Sequence, residues 1–240
     1  MLRILIFLYQ WIIFVPLLCI TMVITATATG LGSFLFSSKF WGYHPARIWS
    51  IITCYTAFCP AEVIGSENIK KEESYIFVAN HQGSFDIFLI YGFLNHNFRW
   101  IMKQELRKVP FAGKACELAG QIFIDRTSVS SIKASMDFAR RQLVGGLSLM
   151  VFPEGSRTST GKIGKFKKGA FQLAVDLNLP VVPLTIEGPF DIMPIGTNTL
   201  RPHKMRLTIH PPITTNKEGV EAIIDLSARS REAIASALSK

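Results

Sequence analysis

The sequence predicts a mixed α/β domain, a central sheet of about seven strands flanked by helices, preceded by an N-terminal apolar two-helix membrane segment. Two observations carry this prediction. No charged side chain lies between Arg3 and Lys39, where Leu, Ile, Phe and Val dominate. After Ala61, short β-rich runs alternate with amphipathic stretches, the pattern of layered α/β folds. Charged residues make up 18% of the 240 and cluster after position 60, so the apolar excess is local. That divides the chain into a hydrophobic anchor, 1–60, and one α/β domain with a full core, 61–240.

Within the anchor, Ile4 to Ile24 is dense enough in apolar residues to serve as a membrane segment, which takes roughly 20 of them. A second charge-free stretch, Ile48 to Ala61, is short for an easy crossing and fits an interfacial helix better. Ala26-Thr27-Ala28 resembles a signal-peptide cleavage site, but apolar sequence resumes directly after it with Leu31, Phe34, Leu35 and Phe36. An uncleaved helical hairpin is therefore expected, its first helix able to cross the bilayer or to lie within one leaflet. Arg3, Lys39 and Arg47 are positive, and so is the domain that follows. By the positive-inside tendency the domain faces the cytoplasm from the inner membrane.

Along the domain the expected strands are Glu62 to Ile64, Tyr75 to Ala79, Phe98 to Met102, Gln121 to Ile124, Leu147 to Phe152, Val181 to Ile186 and Met205 to Ile209. Of the helices between them, Val129 to Val144 is the clearest, with Ile132, Met136, Ala139 and Leu143 on one core-facing stripe. A last helix, about Lys217 to Leu238, covers one side of the sheet. Thr185 to Pro202, broken by Gly188-Pro189, Pro194 and Pro202, reads as a long irregular loop.

The formal charge of +9 calls for an anionic partner. No zinc-finger spacing, RNP-like motif or helix-turn-helix pattern is present, so no nucleic acid is expected and anionic membrane lipid is the better match. The four cysteines form no CxxC pair and have no nearby His in ligand spacing, which predicts free thiols and no metal.

Chemistry concentrates in two blocks. In the first, Asn80-His81-Gln82-Gly83-Ser84-Phe85-Asp86 follows an apolar strand and precedes an apolar helix. Five residues on an ideal helix separate side chains by about 140°, so His81 and Asp86 meet only if His81 stays in the turn. With Ser84 as the helix cap, Asp86 sits in the first turn and faces back towards the imidazole. A carboxylate on one ring nitrogen fixes the tautomer and leaves the other free to accept a proton, the arrangement of a general base. The alternative is a His bonded only to backbone in a strand-to-helix turn. In the second block, Phe152-Pro153-Glu154-Gly155-Ser156-Arg157-Thr158, Gly155 lets backbone approach a ligand while Ser156, Arg157 and Thr158 offer donors suited to phosphate. Lys162, Lys165, Lys167 and Lys168 follow.

Together these blocks resemble the glycerolipid acyltransferase family, most closely its lysophosphatidic acid acyltransferase branch. The first looks like the family's H-x4-D motif. Lys103-Gln104-Glu105-Leu106 with Gly120-Gln121-Ile122-Phe123-Ile124-Asp125-Arg126, the Glu154 block, and Leu179-Pro180-Val181-Val182-Pro183-Leu184 match the others in order. Ser156 stands where Thr is common, which keeps a hydroxyl.

The resemblance implies transfer of a fatty acyl group from acyl-CoA or acyl carrier protein, as a substrate and not a cofactor, to the sn-2 hydroxyl of lysophosphatidic acid. His81 is then the base and Asp86 its partner. Lys103, Arg126 and Arg157 hold the acceptor phosphate, and Glu154, Gly155 and Ser156 belong to its binding site. No G-x-S-x-G elbow is present, against the hydrolase route through an acylated serine. A related acceptor such as glycerol-3-phosphate, or a non-catalytic basic protein of the membrane surface, remains as the alternative.

Overall fold

The computed structural model describes residues 2–124, 129–143, 147–194 and 196–238. The chain opens with α1 (Leu2–Tyr9), a π-helical turn at Gln10–Phe14 and α2 (Val15–Leu35), which run on as one helix. The π turn has a local cause. Pro16 has no N–H to give to the preceding turn, and the Val15 N–H reaches back to the Gln10 carbonyl instead. Ile4–Leu35 is long and apolar enough to cross a membrane. Large side chains such as Ile12, Ile24 and Phe34 are exposed along it.

The expected pair of membrane helices is corrected here to one long helix. The short α3 (Ser38–Trp41) and α4 (His44–Thr56) that follow are shorter than a bilayer crossing, and α4 packs against the helix that follows the second strand, 86–93. Its Cys54, with Tyr43, Ala57 and Cys59, joins the same core cluster as sheet residues Phe77, Met150 and Leu184. Hydrogen bonds tie the long helix down as well. Gln10, buried in an otherwise apolar run, donates to the Asn198 carbonyl at 2.6 Å and accepts the Leu200 N–H at 2.8 Å. Arg99 and Asn97 hold the α3 turn through the carbonyls of Ser38 and Lys39.

The domain then alternates as its hydrophobic periodicity requires: β1 (Ala61–Ile64), β2 (Ile76–Ala79), α5 (Asp86–Phe93), β3 (Phe98–Lys103), α6 (Ala112–Leu118), β4 (Ile122–Ile124), α7 (Val129–Gln142), β5 (Ser148–Val151), α8 (Gly169–Leu177), β6 (Val181–Glu187), α9 (Pro189–Ile192), β7 (Met205–Ile209) and α10 (Gly219–Ser236). All seven expected strands are present, within a residue or two at their ends. They form one sheet in the order β1-β7-β6-β2-β5-β3-β4, with β6 and β7 antiparallel and the other neighbours parallel.

β2, at the middle, is buried at every position, as a parallel strand covered on both faces must be. One core lies between the sheet, α4 and α5; the other packs α7, α8 and α10 on the opposite face. Ala139 sits in the second core, while the side chains of Ile132 and Met136 fall outside the described residues. The stretch Thr185 to Pro202 is less irregular than expected. β6 continues through Glu187, because its edge pairs with β7, and α9 forms a further turn of helix.

Candidate active site

Parallel β2 and β5 are neighbours, with Val78 opposite Val151, and three residues further along each strand come His81 and Glu154. Both chemical blocks therefore leave the sheet at the same edge, outside the carboxyl ends of its strands, where open α/β sheets hold their ligands. Asn80 makes that exit possible. Its side chain accepts the Ile186 N–H at 2.8 Å and donates to the Ile186 carbonyl at 2.9 Å. The β6 ladder stays satisfied while the main chain of residue 80 turns away.

In the turn that follows, His81 Nδ1 lies 2.7 Å from Asp86 Oδ2. The same oxygen accepts the N–H groups of Gln82 at 2.6 Å and Gly83 at 3.0 Å. With donors already converging on Oδ2, the proton between the two side chains belongs on Nδ1. Nε2 is left as the acceptor, and it makes no hydrogen bond among the described residues. Asp86 is 0% exposed. Burial pushes its carboxyl above the usual range, offset by His81 and by the Gly83 and Gln82 N–H groups.

Ser84 does not cap α5. Phe85 occupies the cap position with no side-chain bond, and the Ser84 hydroxyl instead accepts Arg157 at 2.8 Å. Asp86, the first residue of the helix, points back instead and accepts the Gln82 and Gly83 N–H groups of the turn ahead of it.

The second block wraps around the first. Glu154 is buried, and its two oxygens accept the backbone N–H groups of His81 at 2.8 Å and Gly164 at 2.7 Å. The Thr158 N–H returns to the His81 carbonyl at 2.8 Å. Glu154 thus holds the loops together, while Ser156 and Arg157 are exposed beside them. Gly155 has φ +78°, the left-handed region open to glycine, and a Cβ there would come within 2.6 Å of Lys167 Nζ.

His81, Phe152, Gly155 and Lys103 all line a cavity of about 410 Å³. Its far walls are small or apolar side chains of α2 and α6, among them Met22, Ala26, Ala112 and Ala115. Small residues let these helices approach closely, as at Gly30 against Leu118. Cys116 also faces the cavity, but burial pushes its thiol up to about 11, so it is no thiolate nucleophile near neutral pH.

The structure therefore brings together His81, Asp86, Lys103, Glu154 and Gly155, with Ser156 and Arg157 at the edge. Arg126 lies outside the described residues. Two features escaped sequence reasoning. The His81 ring lies flat on Phe152, with centroids 3.9 Å apart and planes at 7°, and Trp100 backs Phe152 at 5.4 Å. The α2 wall of the cavity is the other. The pairing of β3 with β5 is the signal that relates Trp100 to Phe152, and it becomes visible only once the register, Trp100 opposite Met150, is known.

A model of the Acyltransferase family matches residues 60–187, just over half the chain. The chain belongs to this family. Among its relatives, a chloroplastic 1-acyl-sn-glycerol-3-phosphate acyltransferase of Brassica napus is 33% identical over 72% of this chain and 50% of its own length. One from Limnanthes alba is 32% identical over 84% of this chain and 73% of its own. The chain thus spans about half the length of the first of these. The crystal structure of the 1-acyl-sn-glycerophosphate acyltransferase PlsC from Thermotoga maritima superposes with a TM-score of 0.81 at 26% identity, over 100% of both chains. The acyltransferase match covers both blocks, from β1 through β6.

Proposed function

We propose that this acyltransferase moves a fatty acyl group from acyl-CoA or acyl carrier protein to the sn-2 hydroxyl of lysophosphatidic acid, giving phosphatidic acid. The observation that carries the reading is the His81–Asp86 pair at 2.7 Å, opening on a largely apolar cavity that Lys103 also lines. The names of the relatives, 1-acyl-sn-glycerol-3-phosphate acyltransferases, supply the acceptor class.

In this mechanism the acceptor hydroxyl gives its proton to His81 Nε2 as its oxygen attacks the thioester carbonyl. The new C–O bond forms, the C–S bond breaks, and the leaving thiolate takes the proton back from the imidazolium. Asp86 holds the ring by Nδ1 and balances its charge in the transition state. The cavity between α2 and α6 takes an acyl chain, which its small, apolar walls suit. Lys103 and Arg157 bind the acceptor phosphate, joined by Arg126, and Gly155 and Ser156 shape the approach.

The long apolar helix anchors the chain in the inner membrane, with the basic catalytic domain on the cytoplasmic side against anionic lipids. The test is formation of phosphatidic acid by purified protein in mixed micelles, with each donor offered against lysophosphatidic acid and glycerol-3-phosphate. Product from glycerol-3-phosphate alone would move the assignment to a different acceptor.

A further inference from the structure

We propose that Phe152 is a positioning residue whose ring face stabilises the imidazolium that His81 becomes during acyl transfer. The role rests on His81 being the base. The geometry is the argument. Two neutral aromatic rings repel in a face-to-face sandwich and settle offset or edge-on, usually with centroids about 4.5–7 Å apart. His81 and Phe152 instead lie at 3.9 Å with planes at 7°. His96 provides a contrast within the same molecule, since it meets Tyr75 and Phe77 edge-on, at 67° and 70°. A flat stack is favourable when one ring carries positive charge, because the cation then sits over the negative face of the other. At this close, nearly parallel contact, a positive charge on the His81 ring lies against the Phe152 face and is stabilised by it more than the neutral ring is.

Phe152 is itself packed against Trp100, with centroids 5.4 Å apart and planes at 26°, and the Trp100 main chain is fixed by its N–H to Gln121 Oε1 at 2.7 Å. Asp86 holds His81 in the ring plane and Phe152 holds it across that plane, so the two constraints are complementary. An interaction stronger with imidazolium than with imidazole lowers the barrier and not merely the energy of the resting state.

The charged groups around His81 are Asp86 on its ring, Glu154 on its N–H, Lys103 along the cavity, Lys167 beside Gly155, and Arg157 on Ser84. Substituting Phe152 leaves all of them in place.

The experiment is kcat against pH, at saturating donor and acceptor, for wild type, Phe152→Leu, Phe152→Tyr, and protein with trifluorophenylalanine at 152. The last keeps the ring's shape while draining its face, and so carries the test if the leucine variant folds poorly. The acid limb is expected to move about 0.5–1 unit to lower pH in the leucine and fluorinated proteins, with the plateau several-fold lower, and to stay in place in the tyrosine protein. An unmoved limb, or a change confined to the donor KM as for a mere wall of the chain cavity, overturns the proposal. His81→Ala separates the two levels. If it stays active, the base assignment itself is wrong; if it is inactive while the limbs coincide, only the role of Phe152 fails.

Discussion

Glu154 accepts the backbone N–H of His81 at 2.8 Å, so a carboxylate of the second block fixes the main chain of the first. Its other oxygen accepts Gly164 at 2.7 Å, which spends both oxygens on loop backbone. In Glu154→Gln the amide NH2 must face one of these two N–H groups, donor against donor. Hydrogen bonds to charged groups contribute about 1.5–3 kcal/mol, so a Tm lowered by roughly 3–12 °C is expected, with activity falling alongside. Thermal denaturation and turnover on the same preparation check this. A loss of activity at unchanged Tm would assign Glu154 to substrate instead.

Asp86→Asn separates chemistry from stability. The amide can still accept the Gln82 and Gly83 N–H groups but cannot balance an imidazolium, so turnover should fall about a hundredfold or more. Burial raises the Asp86 pKa in the folded state, so the folded chain holds that proton more tightly than the unfolded one. The stabilisation is present below the unfolded carboxyl value, about 3.9, and is lost as pH rises through the folded value. Relative to wild type, Asp86→Asn is therefore expected to gain stability as pH rises above about 4, measured as Tm against pH. A variant that instead loses ground as pH rises would show that the ionised carboxylate is a net stabiliser.

The sheet was readable because each strand is a short apolar run with its own boundary signals, and β2, buried throughout, is the clearest case. The His81–Asp86 pair was readable because a strand-to-helix turn brings positions five apart together. The role of Ser84 was not. Its partner Arg157 is 73 residues away, and nothing local marks that bond. The single long helix was missed for a related reason. Apolar composition cannot separate a membrane hairpin from a long helix followed by α4 packed on the domain, because that packing depends on α5 and on Gln10 meeting residues 198–200.

Arg157, held at Ser84 with no carboxylate partner among the described residues, is expected to set acceptor choice. A charge-assisted pair with phosphate contributes about 1.5–3 kcal/mol, so Arg157→Ala should lose about 10- to 150-fold in kcat/KM for lysophosphatidic acid. Arg157→Lys recovers part of this, since the charge remains but the fork is gone. An uncharged monoacylglycerol should be far less affected, and equal losses on both acceptors would remove the phosphate role.

The measurement closest to the central claim is release of free thiol from acyl-CoA by purified protein, with and without lysophosphatidic acid, in wild type and His81→Ala. Acceptor-dependent release is expected from wild type. In His81→Ala it should fall by about 10²- to 10⁴-fold, the usual contribution of a positioned base, with membrane association and Tm close to wild type. Acceptor-dependent release at near wild-type rate from the His81→Ala protein would contradict acyl transfer by this dyad.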